Sequence, residues 1–287
     1  MKTAHKIALA RMAYHAVHIG RAAFGETDSA IAVRDGVTYD LDIGQGIDFA
    51  IYLGNFFERD TRRALSDLTV PGSTVLDIGA NIGAHTLHLA RCVGPNGRVL
   101  AFEPTDYAFR KLSRNLALNP GLTQRVSLYH CFLASHDGDR IPQAIYSSWP
   151  LTDRASGVFA GDDVHAEHLG RAMRTDAAKS RSIDSVLAEN GNPTVHLVKL
   201  DVDGFECEIL RGAQEMMSGH KPIFVMELAP YVLDERGASL GELIGLFRPH
   251  GYKFYHERTK ARLPDGVESY KQLIEVGESI NVIARAG

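Results

Sequence analysis

The chain has 287 residues, of which 45% are hydrophobic and 23% charged, the composition of a globular protein large enough for one α/β domain with appendages. Its 31 basic and 35 acidic residues give a net charge of −4, which argues against broad electrostatic binding of nucleic acid. Cys92, Cys131 and Cys207 are odd in number and form no CxxC pair, so neither a disulfide framework nor a zinc site is expected, and a reducing, cytoplasmic setting fits them.

The first 25 residues have a helical pattern, without the ~20 apolar residues that span a bilayer and without a clean cleavage site. Lys2, Lys6, Arg11 and Arg21, beside Ile7, Met12, Tyr14 and Val17, allow a peripheral membrane contact. The weak apolar face favours packing on the domain, or on a second copy in a homodimer. VTYDLDI (37–43) alternates as a strand. DFAIYLGNFFERDTRRALSDLTV carries one helical pattern up to the break at Pro71-Gly72. Residues 1–70 thus read as an N-terminal extension on a core domain of 71–287.

Within the core, STVLDIG, GRVLAFEP, RVSLYHCFLAS, VHLVKLDVDG and KPIFVMELAP read as strands. AHTLHLARCVG, TDYAFRKLSRNLALN, IDSVLAEN and FECEILRGAQEMM read as the helices between them. After a further helix, SLGELIGLFRPHG, the chain closes with YKFYHE and SINVIARA as two strands with no helix between. This rhythm predicts an α/β fold: a mostly parallel seven-stranded sheet, helices on both faces, and an antiparallel strand near its C-terminal edge. Residues 138–181 interrupt it as a long polar segment, read as a lid or substrate insertion.

Ligands of such sheets lie beyond the carboxyl ends of the strands, which singles out Asp77, Glu103, Ser135, Asp201 and Glu227. In VLDIGANIGAHT, Gly79 and Gly83 permit a sharp turn and close approach to a ligand. The spacing is not the GxGxxG of a pyrophosphate site. Asp77, two residues before Gly79, suits a cationic group better than a phosphate. Glu103 ends VLAFEP, where an acid can take both hydroxyls of a ribose. Together these features describe a nucleoside with a cationic, phosphate-free tail, which S-adenosyl-L-methionine fits and NAD fits poorly.

VLDIGANIGAHTLHLA, VLAFEP, NLALN, LASHDG, SIDSVL and VKLDVDGFECEILRGA resemble the FkbM family of S-adenosylmethionine-dependent methyltransferases over most of residues 52–230. The family's usual D-V-E-G-x-E stands here as DVDGFE. The resemblance implies the class I methyltransferase (Rossmann-like) fold and O-methylation of a sugar or natural-product hydroxyl. It implies that Asp77, Gly79, Ala80, Asn81 and Gly83 line the methionine end of the cofactor. Glu103 would hold the ribose, Pro104 would turn the chain after it, and Ala134 and Ser135 would meet the adenine. Glu58, in GNFFERD, would close over the cofactor's amino acid; it reads equally as an exposed helix carboxylate.

Asp201 ends the fourth strand, nearest the transferring methyl, with Lys199 on the same strand face, where the pair would lower the Asp pKa. Asp201 would remove the acceptor's proton, and His136 and His256 are further candidates for that role. Asp203 and Glu206 continue the acidic run into a helix whose dipole they also favour. Ser147-Ser148-Trp149 offers a platform for a sugar, with Asp203 and Glu227 as further substrate contacts. Asp201 and Glu227 could hold Mg²⁺, although two acids do not complete a site. His165 and His168 stand at i, i+3 without a matched third ligand. The expected function is an S-adenosyl-L-methionine-dependent O-methyltransferase acting on a sugar, glycan, glycolipid or natural product. The alternatives are a non-catalytic cofactor-binding or scaffolding protein, and an NAD-dependent oxidoreductase or epimerase, which would need a GxGxxG.

Overall fold

A computed structural model of the chain describes residues 3–152, 159–164 and 170–287. Helix α1 (Thr3–Ala23) leads into a hairpin of β1 (Ser29–Arg34) and β2 (Val37–Asp42). Its turn, Asp35-Gly36, takes φ of 48° and 73°, the two left-handed positions that let a tight turn follow the strand twist. β1 was not expected from the sequence, although the Asp-Gly signal for it is there. The helical pattern after β2 divides into α2 (Gly46–Gly54) and α3 (Arg59–Leu68). Asn55 and Glu58, at φ of 57° and 39°, break it and swing Glu58 inward.

The core then runs β3 (Thr74–Ile78), α4 (Ala84–Cys92), β4 (Arg98–Phe102), α5 (Asp106–Ala117), a short α6 (Pro120–Thr123), β5 (Val126–Tyr129) and β6 (Cys131–Leu133). The insertion supplies β7 (Ala144–Ser148), β8 (Phe159–Val164), β9 (Arg171–Arg174) and β10 (Lys179–Arg181). It is followed by α7 (Ile183–Glu189), β11 (Val195–Leu200), α8 (Glu206–Arg211), α9 (Gln214–Gly219), β12 (Ile223–Leu228), α10 (Pro230–Glu235) and α11 (Leu240–Phe247). The chain ends with β13 (Tyr252–His256), α12 (Val267–Leu273) and β14 (Ile280–Ala286).

Seven strands form the main sheet in the order β13-β14-β12-β11-β3-β4-β5. It is parallel except for β14, which runs antiparallel to both β12 and β13, the α/β fold expected. All five residues of β3 are buried, and VHLVKL in β11 is buried at every position but one, as strands covered on both faces must be. Buried side chains such as Leu76, Leu200 and Phe224 belong to one apolar cluster, and Val75, Leu197 and Val225 to a second that also takes in Tyr39 and Leu41 of β2. The hairpin thus shares its core with the sheet. Among the described residues no helix is long and apolar enough to cross a membrane.

Three features differ from the sequence reading. The expected third strand stops at Tyr129, the edge of the main sheet. Cys131–Leu133 instead pairs in parallel with β10, because an edge strand has no outer neighbour to hold its continuation. The insertion is not merely a long loop, since β7, β9 and β8 form an antiparallel sheet anchored by buried Ile145 and Met173. α12 intervenes between the last two strands. Its seven residues carry one buried aromatic, Tyr270, too little for a helical period to show.

NLALN acquires a physical role in α5. Asn115, fully buried, accepts from the Asp40 amide at 2.7 Å and donates to the Ile82 carbonyl at 2.9 Å. Asn119, one turn on, bonds the Thr38 amide at 2.9 Å and its carbonyl at 2.7 Å. Two side chains at i, i+4 thereby satisfy an edge of β2 that no strand covers.

Candidate active site

The chain order of the sheet reverses between β3 and β11, and a crevice at such a switch point is where open α/β sheets bind ligands. A cavity opens there, lined by Gly79, Ala80 and Asn81 after β3, Glu103, Pro104 and Thr105 after β4, and Asp201, Val202 and Asp203 after β11. Gly79 has φ +75°, and a Cβ on it would stand 2.0 Å from the Asp201 carbonyl oxygen. Only glycine lets the two strand ends close this tightly. Gly83, φ +94°, would press a Cβ against Leu112 at 2.7 Å.

Asn81 organises the loop. Its side-chain oxygen accepts from the Ile82 amide, its Nδ2 reaches Ser147 of β7, and its backbone amide donates to Glu103 Oε2 at 2.8 Å. Glu103 Oε1 accepts from the amide and hydroxyl of Thr105 at 2.8 and 2.6 Å. Burial nonetheless leaves this carboxyl above its usual range, against those hydrogen bonds and the charge of Lys199.

The register of β3 and β11 sets Lys199 beside Asp77. Lys199, 3% exposed, donates to the Gly79 carbonyl at 2.8 Å and the Ile78 carbonyl at 3.2 Å. Its ammonium lies 3.6 Å from Asp201 and 3.8 Å from Asp77. Burial alone would neutralise it, but Asp201, Asp77, Glu58 and Glu103 together hold its pKa above the ordinary value. Asp77 is fully buried, accepts from Thr86 at 2.6 Å, and sits beneath the cavity instead of on its wall.

Four further carboxylates surround the opening. Glu58 accepts from His85 Nε2 at 2.7 Å; despite burial, this bond and the charges of His85 and Lys199 hold its pKa down. Asp201, expected from the sequence to be lowered by Lys199, is instead pushed up by burial, with Lys199 opposing and Glu58 adding to the rise. Asp203 is raised to about 8 by burial and by the neighbouring charges of Asp201 and Glu206. Glu227, which accepts from the Ser279 hydroxyl, is raised well above its ordinary value by burial and by Asp201. Among the described residues Lys199 is the one Lys or Arg lining the cavity.

Of the residues singled out from sequence, the structure brings Glu58, Gly79, Ala80, Asn81, Glu103, Pro104, Trp149, Lys199, Asp201, Asp203 and Glu227 to this cavity. Gly83, which packs toward Leu112, does not line it. Nor do Ala134 and Ser135; the third-strand segment presents Cys131, Phe132 and Leu133 instead, because the chain bends away after Tyr129. His136 is 83% exposed beside Asp139. His256 ends β13 at the sheet edge and accepts from the Arg258 amide. Neither histidine reaches the cavity. The Ser148 side chain, His165 and His168 lie outside the described residues. Among the described residues no three His, Cys, Asp or Glu side chains are grouped to hold a metal ion.

The sequence reading passed over His85, Thr105, Tyr146, Phe57, Tyr231 and Ser279, all on the cavity wall. His85 carried a signal, standing two residues after Gly83 at the start of a helix whose N-terminus must face the crevice.

A second cavity of about 690 Å³ adjoins the first, sharing Phe57, Glu58, Trp149, Lys199, Asp201, Glu227 and Ser279 with it. It extends between α1, α2 and the carboxyl end of β12.

The chain is similar to several methyltransferases. The methyltransferase sdnD of Sordaria araneosa is 32% identical over 160 residues, which cover 49% of this chain and 60% of that protein. The 31-O-demethyl-FK506 methyltransferase FkbM of Streptomyces tacrolimicus is 28% identical over 208 residues, 66% of this chain and 75% of its own. The hexuronic acid methyltransferase AglP of Haloferax volcanii is 28% identical over 156 residues, 54% and 56% of the two chains. The chain therefore matches about 60% of the length of two of these relatives. The family profile described as Methyltransferase FkbM domain matches residues 77–254. That span runs from the acid of β3 into β13, includes most residues that line the crevice and takes in more than half of the sequence, so the chain belongs to the FkbM family of methyltransferases.

Proposed function

We propose that the protein is an S-adenosyl-L-methionine-dependent O-methyltransferase whose acceptor is a hydroxyl of a sugar, glycan, glycolipid or natural product. The observation that carries this reading is the crowding of Glu58, Asp201, Asp203 and Glu227 around one cavity. The carboxyls of Asp201, Asp203 and Glu227 are pushed up by burial and by one another. A cationic ligand relieves that strain, and a phosphate would add to it. The name of one relative, 31-O-demethyl-FK506 methyltransferase, supports oxygen as the acceptor atom.

The residues fit this cofactor. Gly79 lets the loop after β3 close against Asp201 at the edge of the cavity where the cofactor would lie. Glu103 Oε2 accepts from the Asn81 amide alone and keeps an acceptor site for a ribose hydroxyl, while Oε1 is taken by the amide and hydroxyl of Thr105. Glu58, held ionised by His85, suits an ammonium. When bound, S-adenosyl-L-methionine supplies a methyl group on a positively charged sulfur. The protein's own part is to hold the acceptor oxygen in line and to accept its proton. Asp201 takes that proton. Burial raises its pKa, which makes it a stronger base, and Lys199, 3.6 Å away, opposes that rise.

Isothermal calorimetry tests the cofactor and a labelled-methyl assay tests the base. Glu103→Ala should weaken S-adenosyl-L-methionine binding by roughly 10- to 100-fold, the loss of one or more hydrogen bonds to a charged group. Asp201→Asn should cut turnover far more than cofactor affinity, and EDTA should leave turnover unchanged. Tight binding of NADH without binding of S-adenosyl-L-methionine would overturn the assignment.

A further inference from the structure

The second cavity has a lining of two unlike kinds. Ile7 and Ala10 of α1, Ala50 of α2, Phe56, Trp149 and Leu151 are apolar. Glu58, Asp201, Glu227 and Glu257 are acidic, and Thr61, Ser279 and Asn281 add polar groups. Lys199 is the sole lysine or arginine among the described lining residues, and its ammonium is already engaged by the Ile78 and Gly79 carbonyls. Glu257 is 4% exposed, and its carboxyl, with Thr61 and Asn281 as hydrogen-bonding neighbours, keeps an Oε1 that is buried without a partner. A buried acceptor atom left unpaired is costly, and a hydroxyl or ammonium donor from a ligand would relieve that cost. At about 690 Å³ the space suits an organic molecule of drug size.

We infer that this cavity is the acceptor site, and that it takes a polyol carrying an apolar group, neutral or amine-bearing at its polar end, while rejecting carboxylated or phosphorylated acceptors. The inference rests on the methyltransferase reading for the reaction, but its charge argument comes from this cavity alone. Hydroxyl or ammonium donors satisfy Glu257 and Glu227, and the apolar group lies on Trp149, Leu151 and the inner face of α1. With Glu58 taken by the cofactor's ammonium, an anionic head would stand beside Asp201, Glu227 and Glu257 in a partly desolvated space, where like charges repel strongly. Specificity then comes from repulsion of the wrong acceptor as much as from attraction of the right one. The hexuronic acid methyltransferase AglP would differ from this protein on that point.

The test uses the full chain saturated with S-adenosylhomocysteine and three probes: hexyl β-glucoside, its 2-amino-2-deoxy analogue and hexyl β-glucuronide. Calorimetry should detect the first two, with the glucuronide about 100-fold weaker. Glu257→Gln should weaken the amino probe at least about 10-fold relative to the neutral one, and Trp149→Ala should weaken both. Glucuronide binding as tight as glucoside binding overturns the inference, as does failure of every probe on protein that binds S-adenosylhomocysteine. Failure of S-adenosylhomocysteine itself, with the glycosides still binding, sinks the methyltransferase reading and leaves the charge assignment standing.

Discussion

Gly79→Ala separates the closeness of two strand ends from the conformational freedom of glycine. A Cβ there would lie 2.0 Å from the Asp201 carbonyl oxygen and 3.1 Å from its carbon, while real Cβ atoms essentially never come within 3.0 Å of such a neighbour. The ends of β3 and β11 must therefore part by at least about 1 Å, or the loop must change shape. Lys199, which donates to Gly79 and carries the charge beside Asp201, would lose its geometry with them. Two costs add: about 1–2 kcal/mol for alanine in the left-handed region and about 1–3 kcal/mol for overpacking. Gly94→Ala isolates the first cost, because Gly94 has φ +69° and nothing within 4 Å of a built Cβ. At about 2–4 °C per kcal/mol, Gly79→Ala should melt roughly 2–12 °C below Gly94→Ala in the same buffer, followed by circular dichroism. It should also lose affinity for S-adenosyl-L-methionine, while Gly94→Ala keeps it. Equal melting temperatures for the two variants would refute the close approach on which the site is built.

Lys199→Met strands Asp77 and two carbonyl groups without their cation, and breaking a buried pair in this way should cost about 3–5 kcal/mol in a chemical denaturation curve. A change below 1 kcal/mol would mean that the ammonium is not needed there. Asn115→Leu leaves the Asp40 amide and the Ile82 carbonyl unpaired. At roughly 1–3 kcal/mol per orphaned group, it should destabilise the protein by about 2–6 kcal/mol, whereas a near-neutral result would show that water replaces the side chain. Asp203 contributes to the pH dependence, together with Glu206, which is raised to about 7. The Asp203 carboxyl holds a proton up to about 8 in the folded protein, against an ordinary 3.8. The native state therefore binds more protons than the unfolded chain across that window, and stability falls as pH rises from about 4 to 8. Asp203→Asn should reduce this fall in melting temperature, and parallel curves for variant and wild type would remove Asp203 as its source.

Local chemistry carried much of this protein into view before any coordinates. The apolar runs of β3, β4, β11 and β12, the glycines after β3 and the acids at the strand ends are properties of short stretches, so sequence alone located the crevice and the sign of charge around it. The same locality explains the omissions. His85 meets Glu58 only because Asn55 and Glu58 adopt left-handed conformations that break one continuous helical pattern into two. Asp77 looks like a ligand contact from its place in the loop, yet the parallel register sets it beside Lys199 and under the cavity floor. Ala134 and Ser135 miss the wall because an edge strand bends where nothing holds its outer side.

The N-terminal helix shows the division most clearly. Its sequence determined a helix with a weak apolar face. Only the packing of Tyr14 with Ile43, Phe49 and Leu151 brings Ile7 and Ala10 to the cavity that Trp149 and Glu227 also line. Periodicity is read from neighbours along the chain, whereas a shared cavity depends on contacts between residues far apart in sequence, which only the folded chain decides.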